Sequence, residues 1–237
     1  MGDQSLKAAL FEQLARVGKA IAHGKRLELL DLLAQSERTV DALAAAAGLN
    51  LTTASAHLQT LKQAGLVATR RDGTRIFYRI AGSDVLDLLV RARALAAARL
   101  PDVRSARDAY LGDDPAIAAV DHNELVRRLR AEELTLVDVR PELEYAAGHL
   151  PGAVNIPVEQ LEARLGEVPA DREVVAYCRG PYCVFAHEAV TVLRRHGYRA
   201  ARLTDGVTEW RLAGLPLSTE ADRPTPRQRK RRPSSRR

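Results

Sequence analysis

The hydrophobic pattern of this 237-residue chain changes once, near residue 112. Before that point apolar residues recur every three or four positions, which is typical of packed helices. After it, short apolar runs at 135–140 and 173–178 alternate with helical segments, and this alternation favours a parallel α/β sheet. The segment GDDP at 112–115 has the composition of a linker. The sequence therefore predicts domains over 1–111 and 112–222, followed by a disordered basic tail over 223–237.

Charge is divided along the same lines. The net charge is +4 over residues 1–81, −6 over residues 82–222 and +8 over residues 223–237. A basic domain beside an acidic one indicates that the first domain meets a polyanion. The tail either adds salt-dependent affinity for nucleic acid or is simply a solvated segment.

Targeting signals are not evident in the sequence. No run approaches the roughly 18 apolar residues that a membrane span needs, and the N-terminal segment does not resemble a signal peptide. Cys178 and Cys183 are too few to form a disulfide framework for a chain of this length. We therefore predict a cytoplasmic protein without a membrane partner.

The first domain is predicted to contain several helices and one hairpin. Helices are expected over 5–20 and over 25–36, the latter with Leu27, Leu30 and Leu33 on its inner side. Thr39 is a candidate N-cap for a third helix, and Asn50 or Thr52 for a fourth that ends before Gly65. Strand-forming residues over 66–80 surround an Asp-Gly pair at 72–73, which is a strong hairpin signal. A long amphipathic helix over 83–100 follows.

This order predicts a mainly α winged helix-turn-helix domain. Its second helix would enter the major groove of double-stranded DNA, with Leu58 and Leu61 facing the core. The alternative is a helical bundle with a solvated basic hairpin, and a structural role is the alternative for His57. The predicted DNA contacts are polar residues of that helix and arginines of the hairpin: Thr52, Thr53, Ser55, His57, Gln59, Thr60, Arg70, Arg71 and Arg75.

The segment SAHLQTLKQAGLV, followed by RRDGTRIFYRI, resembles the ArsR-type winged-helix repressors over about residues 8–100. The resemblance implies a homodimer that uses residues 5–20 and 83–100 as its interface. Many relatives sense metals through cysteines before the recognition turn, but the corresponding segment here, VDALAAAAG, has no Cys or His. We therefore expect no metal site in this domain and no cofactor.

The second domain contains both cysteines. Cys178 is predicted to follow a strand and to precede a helix, and Gly180 and Pro181 can shape a tight loop between them. Backbone N–H groups and the helix N-terminus would lower the pKa of the thiol, and Arg179 adds positive charge. Taken alone, a cysteine after a strand is better explained as a small buried apolar residue.

Three ordered motifs resemble rhodanese domains over about residues 117–217: LVDVRPELEYAAGHLPGAVNIP, YCRGPYCV and LTDGVTEW. The resemblance implies an α/β rhodanese-like domain with a central parallel sheet, in which Cys178 accepts sulfane sulfur as a persulfide. Val184 stands where phosphatase-like relatives have arginine, which argues against phosphatase chemistry. Trp210 is expected in the core. The resemblance implies a loop of Arg179, Gly180, Pro181, Tyr182 and Cys183, supported by Asp138, Arg140, Glu144 and His149.

Two questions stay open at this point. Cys183 either resolves a persulfide or sulfenate on Cys178 into a disulfide or packs inward at the end of the loop. The protein is either a DNA-binding regulator that senses or transfers sulfane sulfur, with a sulfur donor or thiol acceptor as its small partner, or a sulfurtransferase whose winged helix mainly dimerises. A third hypothesis is a docking module in which Cys178 is incidental.

Overall fold

The computed structural model describes residues 3–112, 118–131 and 133–219. The expected fold class is confirmed, because a mainly α winged helix-turn-helix domain precedes an α/β domain with a parallel sheet. Residues 113–115 of the predicted linker and the whole predicted tail lie outside the described residues.

Local capping explains where the helices of the first domain begin. The Thr39 side chain accepts a hydrogen bond from the Ala42 N–H, and the Asn50 side chain accepts one from the Thr53 N–H at 2.8 Å. Asn50, rather than Thr52, is therefore the N-cap of the recognition helix. The described helices of this domain are α1 Gln4–Ile21, α2 Gly24–Gln35, α3 Val40–Ala46, α4 Leu51–Gln63, α5 Ser83–Arg99 and α6 Pro101–Leu111.

The wing is an antiparallel hairpin with one additional short strand. The strands are β1 Arg38–Thr39, β2 Val67–Asp72 and β3 Arg75–Ile80, in the order β1-β3-β2. Asp72 pairs with Arg75, so the two turn residues are Gly73 and Thr74, one position later than the Asp-Gly signal indicates. Gly73 has a φ of 57°, a conformation that favours glycine. Strand β1 was not predicted from the sequence.

An aliphatic core holds the helices to the wing. Leu58 and Leu61 are fully buried, as expected, and Leu30 and Leu33 are buried on α2. The prediction that Leu27 faces inward is wrong, because this side chain is 37% exposed. Leu29 and Leu32 take the inner positions instead, which rotates the buried face of α2 relative to the prediction.

Helices α5 and α6 are separated at Pro101, the first residue of α6. Leu100 has an extended backbone (φ −113°, ψ 104°), as expected for a residue that precedes proline.

The second domain is a parallel sheet with helices on both faces. In its described part the helices are α7 His122–Arg130, α8 Glu142–Ala147, α9 Phe185–Arg195 and α10 Val207–Leu212. The strands are β4 Ala119–Val120, β5 Leu134–Asp138, β6 Val154–Asn155, β7 Glu173–Tyr177 and β8 Ala200–Leu203, all parallel in the order β4-β8-β7-β5-β6.

Alternate residues of the central strands enter two apolar cores. Leu136 and Trp210 belong to one core, whereas Val137, Val190 and Leu193 belong to the other. The expected core position of Trp210 is thus confirmed, at 4% exposure. Because β5 and β7 are adjacent and parallel, their carboxyl ends bring Asp138 and the residue after Tyr177 to the same edge of the sheet.

Candidate functional site

The candidate site lies at the carboxyl end of the central strand β7. Cys178 directly follows Tyr177, is 2% exposed and packs in the core beside α9. The chain then forms a tight loop, in which the Cys183 N–H donates a hydrogen bond to the Gly180 carbonyl at 3.1 Å. Helix α9 begins at Phe185. The predicted strand–loop–helix arrangement around Cys178 is therefore present.

Cys178 and Cys183 are joined by a disulfide. Their Cα atoms are 6.3 Å apart, within the range that a disulfide requires. Cys183 is half-buried and also packs against the core, so the pairing and the packing expected as alternatives occur together. This is the oxidised form of a dithiol pair within one loop.

The start of α9 provides unpaired hydrogen-bond donors near the disulfide. Among the described residues, the backbone N–H groups of Val184, Phe185 and Ala186 have no protein acceptor, and α9 has no side-chain N-cap. These groups and the helix dipole favour negative charge at this end of the helix. The site is therefore suited to a thiolate or persulfide anion.

Glu144, on α8, connects the loop to the first domain. Its side chain is fully buried and accepts hydrogen bonds from the Arg179 guanidinium, at 2.8 Å from Nη2 and 3.0 Å from Nε. The same carboxylate accepts a hydrogen bond from Nη2 of Arg38, at the start of β1. One buried carboxylate thus pairs with the residue next to Cys178 and with a strand of the wing sheet.

The two arginines respond differently to this environment. Burial would lower the pKa of Arg179, but its hydrogen bond to Glu144 and the charges of Glu144 and Asp31 together outweigh that effect, and the pKa is raised. Burial lowers the pKa of Arg38, and the charge of Glu144 only partly opposes that effect. Arg38 is therefore the arginine that depends more on keeping its partner.

A second buried network joins the domains beside the first. Asp138 and Arg140 form a fully buried ion pair at 2.6 Å. Nη1 of Arg140 donates to Oε1 of Gln35, at the end of α2, and Nε2 of Gln35 donates to the Thr208 hydroxyl, both at 3.1 Å. The interface therefore has a defined hydrogen-bond pattern, in which the buried Nε of Arg38 is one donor without a partner in the described chain.

His149 is the remaining predicted support residue of the first rhodanese motif. His149 is 5% exposed, stacks on Tyr145 with ring centroids 3.6 Å apart, and its Nδ1 lies 2.9 Å from the Tyr145 carbonyl oxygen. Such contacts are those of a supporting residue rather than a reacting one, and the roles inferred for this motif stay predictions.

The tip of the loop packs against the start of α10. Gly180 lies against the carboxylate of Glu209, and Gly206 lies against the loop backbone at Arg179 and Gly180. Burial raises the pKa of Glu209, although its hydrogen bond with the Gly206 N–H favours the charged form. Tyr182 lies next to Cys183 and beside an interdomain cavity, and Pro181 occupies the turn before it.

The predicted DNA-contact residues fall on one helix and on the wing. Six of them are exposed: Thr52, Gln59, Thr60, Arg70, Arg71 and Arg75. Thr53 and Ser55 are half-buried. Arg70 forms ion pairs with Glu37 and Asp72, so these carboxylates already neutralise part of its charge. Nε2 of Gln59 donates to the Tyr78 hydroxyl at 3.4 Å, which connects the helix to the wing.

His57 has a structural contact of its own. Its ring lies 4.5 Å from that of His23, the N-cap of α2. Burial, followed by the charge of the neighbouring His23, lowers the pKa of His57, which favours the neutral ring. This contact supports the structural alternative for His57, and its contact with DNA stays a prediction.

Three residues near the site were not identified from the sequence. Gln35 and Arg38 belong to no sequence motif. They matter for the site because the packed domains bring them into contact with Arg140 and Glu144. His187, on α9, has a buried Nδ1. Burial followed by the charge of Arg202 lowers the pKa of His187, and a contact with the Cys183 backbone partly opposes this. Its position four residues after Cys183 on a predicted helix was the available signal.

No described helix is long and apolar enough to cross a membrane. No group of three or more His, Cys, Asp or Glu side chains in the described chain is arranged to hold a metal ion.

Comparisons with known proteins agree with this architecture. Residues 23–69 match the bacterial regulatory protein, arsR family, and residues 121–213 match the rhodanese-like domain. A sulfurtransferase of Allochromatium vinosum is 36% identical over 100 residues, covering 41% of this chain and 92% of its own. A homodimeric winged helix-turn-helix domain from Mycobacterium bovis, solved by NMR, is 57% identical and covers 43% of this chain and 94% of its own, with a TM-score of 0.40.

The fold and the site define a class of two-domain transcriptional regulators, with an ArsR-type winged helix-turn-helix followed by a rhodanese domain. One relative matches nearly the whole chain: the HTH-type transcriptional regulator Rv0324 of Mycobacterium tuberculosis is 55% identical over 220 residues, which cover 93% of this chain and 96% of the relative. The chain therefore belongs to this family of rhodanese-containing, ArsR-type transcriptional regulators.

Proposed function

We propose that this regulator binds double-stranded DNA with an affinity that depends on the chemical state of Cys178 and Cys183. The observation that supports the proposal is the position of Glu144, which pairs at once with Arg179 in the cysteine loop and with Arg38 in the wing sheet. Any change that moves Arg179 alters the partners of the fully buried Glu144 carboxylate. The energetic cost of the altered pairing then falls on the contact between Glu144 and Arg38.

Sulfane sulfur would set the state of the pair in two balanced steps. The Cys178 thiolate attacks the outer sulfur of a persulfide donor, forms a persulfide on Cys178 and releases the donor as a thiol. The Cys183 thiolate then attacks Sγ of Cys178, forms the disulfide and expels hydrosulfide. The donor is reduced and the two protein thiols are oxidised, so the electrons balance.

The link to DNA runs through the wing. Arg38 pairs with Tyr78 of β3, and β3 pairs with β2, whose arginines lie at the hairpin tip. The oxidised and the reduced loop would therefore favour different positions of the wing. The coupling is the difference in DNA-binding free energy between the two redox forms. In this proposal α4 enters the major groove and Arg71 and Arg75 contact phosphates.

We also propose that the DNA-binding form, which we place in the cytoplasm, is a homodimer. The N-terminal helix α1 exposes a continuous apolar face, with Leu6 69%, Leu10 57%, Phe11 59% and Leu14 61% exposed. A patch of this kind on one chain is best covered by a second copy, since a symmetric interface uses the same face twice.

Replacing Leu10 with glutamate is expected to convert the dimer to monomer and to weaken operator binding by at least about 100-fold, because a charge would be buried in an apolar interface. Analytical ultracentrifugation measures the assembly and fluorescence anisotropy measures the affinity. Ala8→Glu is the matched control, since Ala8 is exposed on the same helix and, two positions from Leu10, lies on the opposite side of it. A monomeric wild type, or a dimeric Leu10→Glu protein, would contradict the dimer.

The regulatory proposal is tested by fluorescence anisotropy on the promoter fragment upstream of the protein's own gene, at fixed salt. We expect the reduced and the persulfide-treated protein to differ in Kd by about 10-fold, a typical allosteric coupling. Cys178→Ser should bind with one affinity under both treatments. Equal affinities for treated and untreated wild type would overturn the proposal.

Sulfurtransferase activity is the second candidate, supported by the unpaired N–H groups at the start of α9, which suit a persulfide. Thiosulfate-dependent sulfur transfer with normal turnover in Cys183→Ser and no redox effect on DNA binding would favour this candidate over redox-dependent regulation.

A further inference from the structure

A cavity of ≈ 380 Å³ lies between the two domains, beside the disulfide. One wall belongs to the second domain and includes Arg179 and Cys183. The opposite wall belongs to α2 of the DNA-binding domain and includes Glu28 and Asp31. Ligand pockets typically have volumes of roughly 300–1,000 Å³, so this cavity suits a small organic molecule.

Only one of the two cysteines borders the cavity. Cys183 lines it and is half-buried, whereas Cys178 is 2% exposed and packs in the core. A thiol that enters from the cavity therefore meets Cys183 first. Cys178, at the other end of the disulfide, lies on the side of the buried sheet.

The two walls carry opposite charges. Glu28 and Asp31 face the cavity, and their cationic partners, Lys25 and Arg93, are not among its lining residues. Arg179 faces it from the other wall, close enough for the charge of Asp31 to raise its pKa. A ligand with an ammonium group towards α2 and a carboxylate towards the loop matches this arrangement.

We propose that the cavity binds a small zwitterionic thiol or persulfide of the amino-acid type, which exchanges with the disulfide at Cys183. The inference rests on the proposed redox function of the cysteine pair and names its ligand class. Because one wall is α2, the ligand touches the DNA-binding domain while it reacts with the rhodanese loop.

The exchange balances without a further reactant. The incoming thiolate attacks Sγ of Cys183, a mixed disulfide forms there, and the bond between Cys178 and Cys183 breaks. The electron pair leaves on Cys178 as a thiolate, near the unpaired N–H groups at the start of α9. A second thiolate attacks the ligand sulfur of the mixed disulfide, releases the ligand as a symmetric disulfide and frees the Cys183 thiolate.

The test measures how fast probe thiols of different charge reduce the oxidised full-length protein. The probes are cysteine, cysteamine, 2-mercaptoethanol and 3-mercaptopropionate, with each rate divided by that for a neutral dipyridyl disulfide. We expect the normalised rate of cysteine to exceed that of 2-mercaptoethanol by about 10-fold, from two favourable charge contacts at a partly exposed site, with cysteamine and 3-mercaptopropionate between them. Rates that are independent of charge, or an anionic probe that reacts faster than cysteine, would overturn the proposal.

Variants locate the selectivity. Asp31→Asn should reduce the advantage of the cationic probe about threefold, the size expected for one partly exposed charge. Asp87→Asn is the matched control, because Asp87 also pairs with an arginine of α5 but does not line the cavity. An unchanged advantage in Asp31→Asn, or an equal loss in Asp87→Asn, would count against the cavity.

Peptide mass spectrometry identifies which of the two cysteines a small disulfide reaches. After treatment with cystine, Cys178→Ser should form the mixed disulfide on Cys183 at least about fivefold faster than Cys183→Ser forms it on Cys178, since access governs exchange. The reverse order would contradict attack at Cys183. If reduction is selective for charge but DNA affinity ignores the redox state, the regulatory proposal fails and the cavity stands. If DNA affinity follows the redox state but reduction ignores charge, only the cavity proposal fails.

Discussion

Replacing Glu144 with glutamine is expected to destabilise the protein by about 3–5 kcal/mol and to remove the redox dependence of its DNA affinity. The carboxylate is fully buried, while Arg38 and Arg179 have side chains only 10% and 20% exposed. Loss of the charge leaves two poorly solvated guanidinium groups facing each other, and breaking a buried pair has a cost of this size. Thermal unfolding reports the stability, and anisotropy of reduced and oxidised protein reports the coupling.

Two variants separate the stability effect from the coupling. Glu142→Gln removes an exposed charge from the same helix and should change neither measurement. Arg38→Gln leaves the Arg179–Glu144 pair in place, so it should keep the loop intact while reducing the redox effect on DNA affinity. A normal redox effect in Arg38→Gln would show that the coupling does not pass through this carboxylate.

Replacing Gly206 with alanine is expected to displace the cysteine loop. A Cβ at this position would overlap the Arg179 carbonyl and the Gly180 nitrogen, which are backbone atoms that cannot rotate away. Overpacking of this kind costs about 1–3 kcal/mol, and occasionally more. We expect a lower melting temperature and a changed rate of disulfide reduction, measured by alkylation of the released thiols.

Gly166→Ala is the control for that substitution. A Cβ there would meet no atom within 4 Å, and the backbone does not have a positive φ. Its effect should stay within about 0.5 kcal/mol, as for most surface substitutions. If Gly206→Ala melts and reacts like Gly166→Ala, the loop is not held by its contact with α10.

The sequence predicted most of the longer elements of both domains because their signals are local. Asn50 and Thr39 cap helices whose apolar spacing follows them, and Gly73 permits a two-residue hairpin. The motif around Cys178 likewise lies within one strand–loop–helix segment. Leu27 was misplaced because three leucines in one turn fit two helix faces almost equally well, and tertiary contacts decide between them.

The sequence by itself determined the two fold classes, their order and the loop that holds both cysteines, because periodicity, caps and turn residues act over a few positions. Only the tertiary structure decided which residues join the domains. Arg38 reaches Glu144 across 106 positions, and Gln35 reaches Arg140 across 105. From the sequence alone, many arginines of this chain could pair with a given carboxylate. The packed domains exclude some of these arginines from water, and those must pair because burial makes an unpaired charge costly.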